Sequence, residues 1–268
     1  MSLDRNTEDP EGFGAGFGGD RPEAGSAVSL AELRRVNKIR RDFVANVSHE
    51  LKTPATSLKL LAESLSEILE DDPEQARFFA HQLKSETERL AQLITDLLDL
   101  ARLESEEGVR NPQPVDVRSI LMVVLARLRP AARRKNITLS WKRSGNAALY
   151  AVRGEETQLT SMFANLVENA VKYTPQGGRV EVSGESNEDE VVVRVSDTGI
   201  GIPPENLARI FERFYRVDKA RSKETGGTGL GLSIVRHIAQ NHGGHVAVES
   251  EPGEGSTFTV RLPRSCSP

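Results

Sequence analysis

Residues 43–54 place a histidine beside an acid, His49 and Glu50, shortly before Thr53 and Pro54. Apolar residues recur around this segment every three or four positions, which is the spacing of an amphipathic helix. His49 is expected to face away from the apolar stripe, because two helical steps from an apolar position rotate a side chain by about 200°. These residues alone leave two interpretations open. His49 is a solvated surface histidine, or its neutral imidazole attacks phosphorus while Glu50 accepts its proton.

Three polar residues further along the chain share one face of a predicted helix. Asn165, Asn169 and Lys172 are spaced by four and three residues, so their side chains project from the same side. An amide oxygen is a suitable hard ligand for Mg²⁺, and a lysine one turn away can reach phosphate oxygens. The alternative is an ordinary solvated helix face, on which asparagine and lysine are common.

Two glycine-containing segments follow. In residues 197–201, Asp-Thr-Gly-Ile-Gly, a carboxylate at a strand end can accept a hydrogen bond from an exocyclic amine while glycine backbone packs against a flat ring. The alternative there is a simple turn. In residues 226–232, Gly-Gly-Thr-Gly-Leu-Gly-Leu, backbone N–H groups at a helix start favour phosphate. This second pattern is not a P-loop, and it does not directly follow a strand as a dinucleotide fingerprint would.

The stretch between those two segments, residues 210–223, is long, polar and basic, and it begins with an aromatic anchor. That composition is typical of a mobile lid over a charged ligand. A solvated basic loop is the alternative. The adjacent glycine-rich segment favours the lid.

Two long amphipathic helices are the first elements that must position these side chains. One is predicted from about residue 30 to residue 69 and the other from about 74 to 104, with Asp71-Asp72-Pro73 as the break between them. Helices joined by so short a turn form an antiparallel hairpin. A hairpin with two apolar stripes cannot enclose a core by itself. We therefore predict that two copies pair into a four-helix bundle, as a homodimer.

The pattern of residue types changes after residues 106–114, which have the composition of a linker. Beyond them, short β-rich runs alternate with helical patterns, which predicts helices in one layer against a mixed sheet, an α/β sandwich. Residues 1–28 are rich in glycine and acidic residues and are predicted to be a disordered tail. The predicted fold class is α+β, with the hairpin in residues 29–105 and the sandwich in residues 115–264.

Composition excludes several classes of protein. The net charge of −4 gives no general attraction to nucleic acid, and a single cysteine, Cys266, excludes a disulfide framework or a thiolate metal site. The longest apolar stretch, residues 120–128, is far below the ~20 residues that a membrane-spanning helix needs. No secretory signal opens the chain. We expect a cytoplasmic chain, or the cytoplasmic portion of a longer membrane sensor.

Taken together, the five segments resemble a sensor histidine kinase of two-component systems, from about residue 30 to the C-terminus. The chain is most similar to the phosphate-sensing branch of that family. The resemblance implies that residues 29–105 are the dimerisation and histidine phosphotransfer domain. It also implies that residues 115–264 are the catalytic ATP-binding domain, whose fold is shared with DNA gyrase, heat-shock chaperone ATPases and mismatch-repair ATPases.

The resemblance also implies a role for individual residues. His49 would be the phosphoacceptor, Glu50 its acid–base partner, and Thr53 the residue that orients a water to dephosphorylate the partner protein. Arg216 would neutralise the γ-phosphate, and Asn169 would bind Mg²⁺. The implied nucleotide site comprises Asn165, Asn169, Lys172, Tyr173, Asp197, Gly199, Gly201, Gly227, Thr228, Gly229, Leu230 and Gly231, with Asp197 reading adenine.

The function predicted from this resemblance is ATP-dependent autophosphorylation of His49, followed by phosphoryl transfer to an aspartate on the receiver domain of a response regulator. Dephosphorylation of that regulator is expected as a second activity. The implied cofactors are ATP and Mg²⁺. A competing hypothesis is an ATP-binding scaffold in which nucleotide sets the arrangement of domains without phosphotransfer. Acid-labile, base-stable labelling of the protein distinguishes the two.

Overall fold

The computed structural model of the chain describes residues 30–105, 108–109, 111–143, 150–217 and 227–265. The predicted tail, Cys266 and the second half of the predicted lid lie outside the described residues. From Phe43 onward the chain forms one unit, so the contacts described below all fall within it.

Two long helices open the described part of the chain, α1 (Leu30–Ile68) and α2 (Pro73–Ser105). The break between them is made by Asp72, whose Oδ1 accepts hydrogen bonds from the backbone N–H groups of Glu74 and Gln75, each at 3.0 Å. Pro73 suits the first turn because its fixed φ is helical and its missing N–H would have no helical partner there. The predicted helical hairpin is therefore confirmed.

The remainder of the chain alternates strands and helices, as predicted. The elements in order are β1 (Gln113–Asp116), α3 (Val117–Arg134), β2 (Thr138–Arg143), β3 (Ala151–Gly154), α4 (Glu156–Tyr173), β4 (Arg179–Ser186), β5 (Glu190–Asp197), α5 (Pro204–Leu207), α6 (Gly231–Asn241), β6 (His245–Glu251) and β7 (Gly255–Pro263). Five strands form one sheet in the order β2-β4-β5-β7-β6. Only the β2–β4 pair of that sheet is parallel, so the sheet is mixed.

Helices α3, α4 and α6 cover one face of this sheet and form the core with it. The apolar stripe of α4 is fully buried at Leu159, Met162 and Phe163. On the facing strand β5, Val193 and Val195 are buried as well. Each such side chain contributes roughly 1.5–3 kcal/mol by leaving water. The predicted α/β sandwich, and with it the α+β fold class, is confirmed.

A two-stranded ribbon stands apart from the main sheet and was not predicted. In it β1 pairs antiparallel with β3, with Val115 opposite Val152. β1 begins at Gln113, inside the segment predicted as a linker. Four residues including Pro114 are too short and too irregular to show strand periodicity.

The hairpin also shares its apolar core with the sandwich. On α2, Leu93, Leu100 and Leu103 are buried in the same cluster as Ile234 and Ile238 of α6. We did not predict that the sandwich would cover the apolar stripe of α2. The sequence pattern shows that α2 has an apolar stripe but not which surface packs against it. Within the part of the chain that the structure describes, none of the helices has the length and apolarity needed to span a membrane.

Candidate functional site

A cavity of about 740 Å³ lies between α4, the glycine-rich segment before α6, and the turn after β5. One part of its wall is apolar and includes Ile200, Ile202 and Phe258. Another part is polar. Of the residues predicted for a nucleotide site, the lining contains Asn165, Asn169, Lys172, Tyr173, Asp197, Gly201, Gly227, Thr228, Gly229 and Gly231, together with Arg216.

Helix α4 supplies the polar wall because its residues alternate between two environments. Asn165, Asn169 and Lys172 line the cavity, while Leu166 and Val167 between them are buried in the core. Asn165 donates its amide N–H to the Ser161 carbonyl at 2.9 Å, which fixes the orientation of the side chain. The amide Oδ1 then faces Gly231, where an added Cβ would lie only 2.5 Å away. This close approach explains a glycine at that position.

The carboxyl end of α4 is held by Lys135, a residue that sequence reasoning missed. Its Nζ donates to the carbonyls of Val171, Lys172 and Thr174 at 2.8, 2.8 and 2.9 Å. A cation is favoured there by the helix dipole and by the unpaired terminal carbonyls. Burial lowers the pKa of Lys135. Lys135 stands at the end of α3, and no local pattern marks it, because its partners are 36 to 39 residues away.

Lys172 and Arg216 bring positive charge to the polar wall. The pKa of Lys172 is lowered to about 8, chiefly by burial and then by the nearby cations Arg216 and Arg89, against the opposing effect of Glu168. The Lys172 Nζ lies 5.2 Å from the centre of the Tyr173 ring. A Cβ at Gly227 would lie 2.6 Å from that Nζ, so glycine is needed for the loop to pass.

Arg216 is held with unsatisfied hydrogen-bonding capacity. Its side chain is 12% exposed, and its Nε and Nη2 have no hydrogen-bond partner among the described residues. Burial lowers its pKa. Buried N–H donors without acceptors are costly, so a site of this kind favours an anion.

Asp197 stands at the end of β5 and at the edge of the cavity. Its Oδ1 accepts the backbone N–H of Gly199 at 2.8 Å, and burial raises its pKa against the lowering effect of that bond. Gly201 has φ +67°, and a Cβ there would lie 1.9 Å from the Glu251 carbonyl oxygen. Only glycine fits this turn. Gly199 supports Asp197 from outside the lining.

The glycine-rich segment holds the Phe214–Arg216 segment in place. The Phe214 N–H donates to the Gly229 carbonyl at 2.9 Å, and both residues have positive φ. A Cβ on Gly229 would lie 2.9 Å from the Phe214 backbone. Leu230, also predicted for the site, is instead fully buried in the core at the start of α6, outside the lining.

His49 and Glu50 lie on α1, outside the cavity lining. His49 is 79% exposed, as the helical spacing predicted, and its Nδ1 is 3.7 Å from Glu50 Oε1. Glu50 Oε2 is 4.0 Å from Arg216 Nη1, which connects the hairpin to the cavity wall. Thr53 is exposed one turn further on, and its hydroxyl donates to the His49 carbonyl at 3.1 Å.

Two side chains of α2 also line the cavity and were missed, Gln92 and Asp96. Asp96 is 5% exposed and accepts a hydrogen bond from Thr228. A signal for it exists in the sequence, since an acid interrupts the apolar stripe between Leu93 and Leu100. No three histidine, cysteine or acidic side chains of the described residues are grouped to hold a metal ion.

Two family models match this chain. Residues 39–106 match the "His Kinase A (phospho-acceptor) domain". Residues 154–265 match the "Histidine kinase-, DNA gyrase B-, and HSP90-like ATPase" model. The first matched region holds His49 and Glu50 together with Gln92 and Asp96, and the second holds most of the residues that line the cavity.

Individual proteins resemble the chain over most of its length. The sensor-like histidine kinase SenX3 of Mycolicibacterium smegmatis is 44% identical over 238 residues, which are 89% of this chain and 61% of that protein. The phosphate regulon sensor protein PhoR of Pseudomonas aeruginosa is 39% identical over 247 residues, 91% of this chain and 54% of that protein. The chain therefore spans little more than half the length of these curated relatives.

A solved structure agrees with these relatives. The structure of full-length ShkA in complex with AMPPNP is 31% identical with a TM-score of 0.61, and the match covers 84% of this chain and 46% of that one. With both family models in their predicted order and relatives that include a phosphate regulon sensor, the chain belongs to the sensor histidine kinases of two-component systems, in the PhoR-like branch, and corresponds to their catalytic portion.

Proposed function

We propose that this chain transfers the γ-phosphoryl group of ATP to His49. The observation that carries the proposal is the connection from an exposed histidine, through Glu50, to Arg216 in the wall of a cavity that Lys172 also lines. A solvated histidine needs no such neighbours. The ATPase family model over the cavity residues supports the identity of the donor.

In this proposal the cavity orients ATP by its two kinds of wall. Asp197 accepts a hydrogen bond from the exocyclic amine of adenine, and the apolar wall near Ile200 packs against the ring. Lys172 and Arg216 offset the charge of the phosphates, which is most of what a loose phosphoryl transfer requires.

The donor set fits Mg²⁺ held jointly by protein and substrate. Mg²⁺ sites commonly use one or two protein oxygens together with phosphate oxygens and water. The Asn169 side chain lines the cavity between Asn165 and Lys172 and would supply the amide oxygen. When bound, the ion neutralises charge that develops on the phosphates.

The transfer step follows from the placement of the two imidazole nitrogens. Glu50 faces Nδ1, so Nε2 is the nitrogen that attacks the γ-phosphorus. The bond from phosphorus to the bridging oxygen breaks, and its electron pair leaves with ADP. The Nδ1 proton moves to Glu50, which leaves a neutral phosphohistidine ring.

Labelling with ATP that carries ³²P in the γ-position tests this proposal. We expect acid-labile, base-stable label on the chain and its loss in His49→Gln. His81→Gln, a change of another exposed histidine on α2, should retain the label and serves as the matched control. Label that survives His49→Gln would refute the assignment of His49. Nucleotide binding with no label in the unaltered chain would favour the scaffold hypothesis.

The second substrate in this proposal is an aspartate on a response regulator. His49 and Thr53 are both exposed and one helical turn apart, so one docked partner could meet both. The Thr53 hydroxyl could orient a water for the reverse, dephosphorylating activity. Transfer is tested by following the label from the phosphorylated chain to candidate receiver domains, and dephosphorylation by the release of phosphate from a labelled receiver.

We also propose that the hairpin pairs with a second copy. Leu60, Phe78, Ile94 and Leu98 are between 45% and 58% exposed, although they lie on the two helices of the hairpin. A four-helix bundle would bury them. Light scattering at micromolar concentration should return twice the mass of the chain, and a monomer would contradict the bundle.

A further inference from the structure

The contact between Asp96 of α2 and Thr228 of the glycine-rich segment has a direct bearing on the cavity. Thr228 Oγ1 donates to Asp96 Oδ2 at 2.7 Å, and Gln92 Nε2 donates to Asp96 Oδ1 at 2.7 Å. All three side chains line the cavity. The hairpin therefore contributes a carboxyl group to the wall of a site that we assign to a polyphosphate.

The hydroxyl group of Thr228 already donates one hydrogen bond and accepts another. It has one hydrogen, which it donates to Asp96, and its oxygen accepts the Leu230 N–H at 3.2 Å. In this arrangement it has no hydrogen to donate to a phosphate oxygen. A nucleotide that uses Thr228 must first replace Asp96 as the acceptor.

The electrostatic surroundings of Asp96 add to this competition. Burial is the main effect that raises its pKa, and the charged groups that act on it, Asp99 and Glu168, are both acidic. Lys172 and Arg216 line the same cavity, but among the described residues neither of them forms an ion pair with Asp96. An acid without a cationic partner in this wall repels the phosphates that the cavity otherwise favours.

A second polar contact holds α2 against α6 at a distance from the cavity. His237 Nε2 lies 2.8 Å from the Leu103 carbonyl oxygen, one end of a buried apolar contact that includes Leu100. The hairpin is thus fastened near both ends of this contact, and only the Asp96 end touches the cavity. We call this the docked arrangement of α2.

We propose that Asp96 is a positioning residue that opposes nucleotide binding. Its hydrogen bond with Thr228 ties the glycine-rich segment to α2 in the docked arrangement, and nucleotide phosphates can use Thr228 only after that bond breaks. The inference rests on the ATP site proposed above. Because linkage is reciprocal, bound nucleotide weakens docking by the same factor by which docking weakens nucleotide binding.

Calorimetric titration of the full chain with Mg²⁺ and AMPPNP tests the proposal. We expect Asp96→Ala to bind AMPPNP at least about five-fold more tightly, within the usual range of coupling between sites. Asp96→Asn, which keeps an acceptor but removes the charge, should give a smaller gain. The matched control is Glu88→Gln, an exposed acid two turns away on α2 and outside the cavity lining, which should leave the affinity unchanged. Thermal unfolding of each variant verifies that it is folded.

The double variant distinguishes positioning from a general structural effect. In a Thr228→Val background, Asp96→Ala should give a smaller gain than in the unaltered chain, because the hydrogen bond it would remove is already absent and only the repulsion of the carboxyl group remains to be lost. Adenosine, which has no phosphates, should bind equally to the unaltered chain and to Asp96→Ala. A gain for adenosine equal to that for AMPPNP would overturn the role of the phosphates.

Hydrogen exchange supplies the reciprocal measurement. AMPPNP should accelerate amide exchange in residues 92–103 of the unaltered chain, since it releases α2. Unchanged or weakened AMPPNP affinity in folded Asp96→Ala and Asp96→Asn, or protection of residues 92–103 by AMPPNP, would overturn the inference while leaving the ATP site intact. Failure of AMPPNP to bind any variant would instead refute the ATP site itself.

Discussion

Arg216 Nη1 lies 4.0 Å from Glu50 Oε2, while the other oxygen of the same carboxyl group lies 3.7 Å from His49 Nδ1. One acid therefore faces both the histidine on the hairpin and the arginine of the cavity wall. Arg216 is largely buried, which makes each of its unsatisfied N–H groups costly. If Arg216 turns toward a phosphate, Glu50 loses its contact with Arg216 and keeps only the contact with His49. Binding of the phosphate by Arg216 and acceptance of the His49 proton by Glu50 are therefore linked through the Glu50 side chain.

Replacement of Arg216 tests this link. We expect Arg216→Ala to lower the initial rate of His49 labelling at saturating ATP by about 10²-fold or more, since one preorganised charge donor at a transition state commonly contributes this much. Arg216→Lys should recover part of the rate, because lysine restores the charge but not the planar donor geometry.

Arg209→Ala is the matched control for that measurement. Arg209 stacks on the Tyr215 ring, with its Cζ 4.3 Å from the ring centre, and is 55% exposed. It lies outside the cavity lining. A labelling rate in Arg216→Ala within two-fold of that in Arg209→Ala would show that Arg216 takes no part in transfer.

Lys172 predicts opposite pH responses for binding and stability. Its pKa of about 8 means that it loses its charge as the pH rises from 7 to 9, so AMPPNP affinity should fall several-fold across that range. Lys172→Arg keeps its charge and should flatten the profile. A profile that remains equally steep in Lys172→Arg would assign the pH dependence to another group.

The free energy of unfolding should respond to pH in the opposite direction, rising as the pH rises. The unfolded lysine titrates near its ordinary pKa of 10.5, so between pH 8 and 10.5 the unfolded chain binds the additional proton. The contribution of Lys172 to the free energy of unfolding therefore rises with pH in that window. Lys172→Met should remove this rise, measured by chemical denaturation at pH 8 and pH 10, and should unfold at higher denaturant concentration than the unaltered chain at pH 7.

Most elements of this fold could be predicted because each long helix or strand carries its own periodic signal. Helix α4 is an example, since the same spacing that buries Leu166 directs Asn165 and Asn169 to the cavity. The ribbon strand β1 has four residues and a proline, so no period exists to detect. Length and regularity, more than composition, decided which elements were found.

The missed residues of the site depend on contacts that no local pattern encodes. Asp96 meets Thr228 across 132 residues of chain, and Lys135 meets Thr174 across 39. Both are brought to the cavity by the packing of whole helices. Asp96 at least interrupts an apolar stripe, which marks a buried acid, whereas Lys135 has the appearance of any lysine near the end of a helix.

Gly229 tests whether the Phe214–Arg216 segment must be held by the glycine-rich segment. Gly229→Ala meets both a positive φ of +73° and a Cβ contact of 2.9 Å to Phe214 backbone. We expect a cost above the roughly 1–2 kcal/mol of a left-handed residue and loss of AMPPNP binding, because Phe214 must move away.

Gly253→Ala is the control with the same backbone strain and no obstruction. Gly253 has φ +85° and nothing within 4 Å of an added Cβ. In denaturant unfolding, the free energy of unfolding of Gly253→Ala should fall only by the cost of placing alanine at a positive φ, and its AMPPNP affinity should be unchanged. Equal losses in the two variants, with binding retained in Gly229→Ala, would show that the contact with Phe214 has no effect on the site.

Lys135 tests whether the end of α4 must be fixed for the cavity to bind nucleotide. Lys135→Met keeps much of the aliphatic stem but removes three hydrogen bonds to the carbonyls at the carboxyl end of α4. A hydrogen bond to a charged group contributes about 1.5–3 kcal/mol net. The cost of burying the ammonium group offsets part of the sum over three bonds, so we expect a loss of about 2–3 kcal/mol in the free energy of unfolding.

The control is Lys142→Met, whose lysine is 67% exposed and pairs with Glu181 at 3.6 Å. An exposed pair of this kind contributes less than about 1 kcal/mol. Because Lys172 and Tyr173 belong to the turn that Lys135 caps, AMPPNP affinity measured well below the unfolding transition should fall in Lys135→Met and not in Lys142→Met. A stability loss with unchanged affinity would mean that Lys135 closes the helix without positioning the two residues that line the cavity.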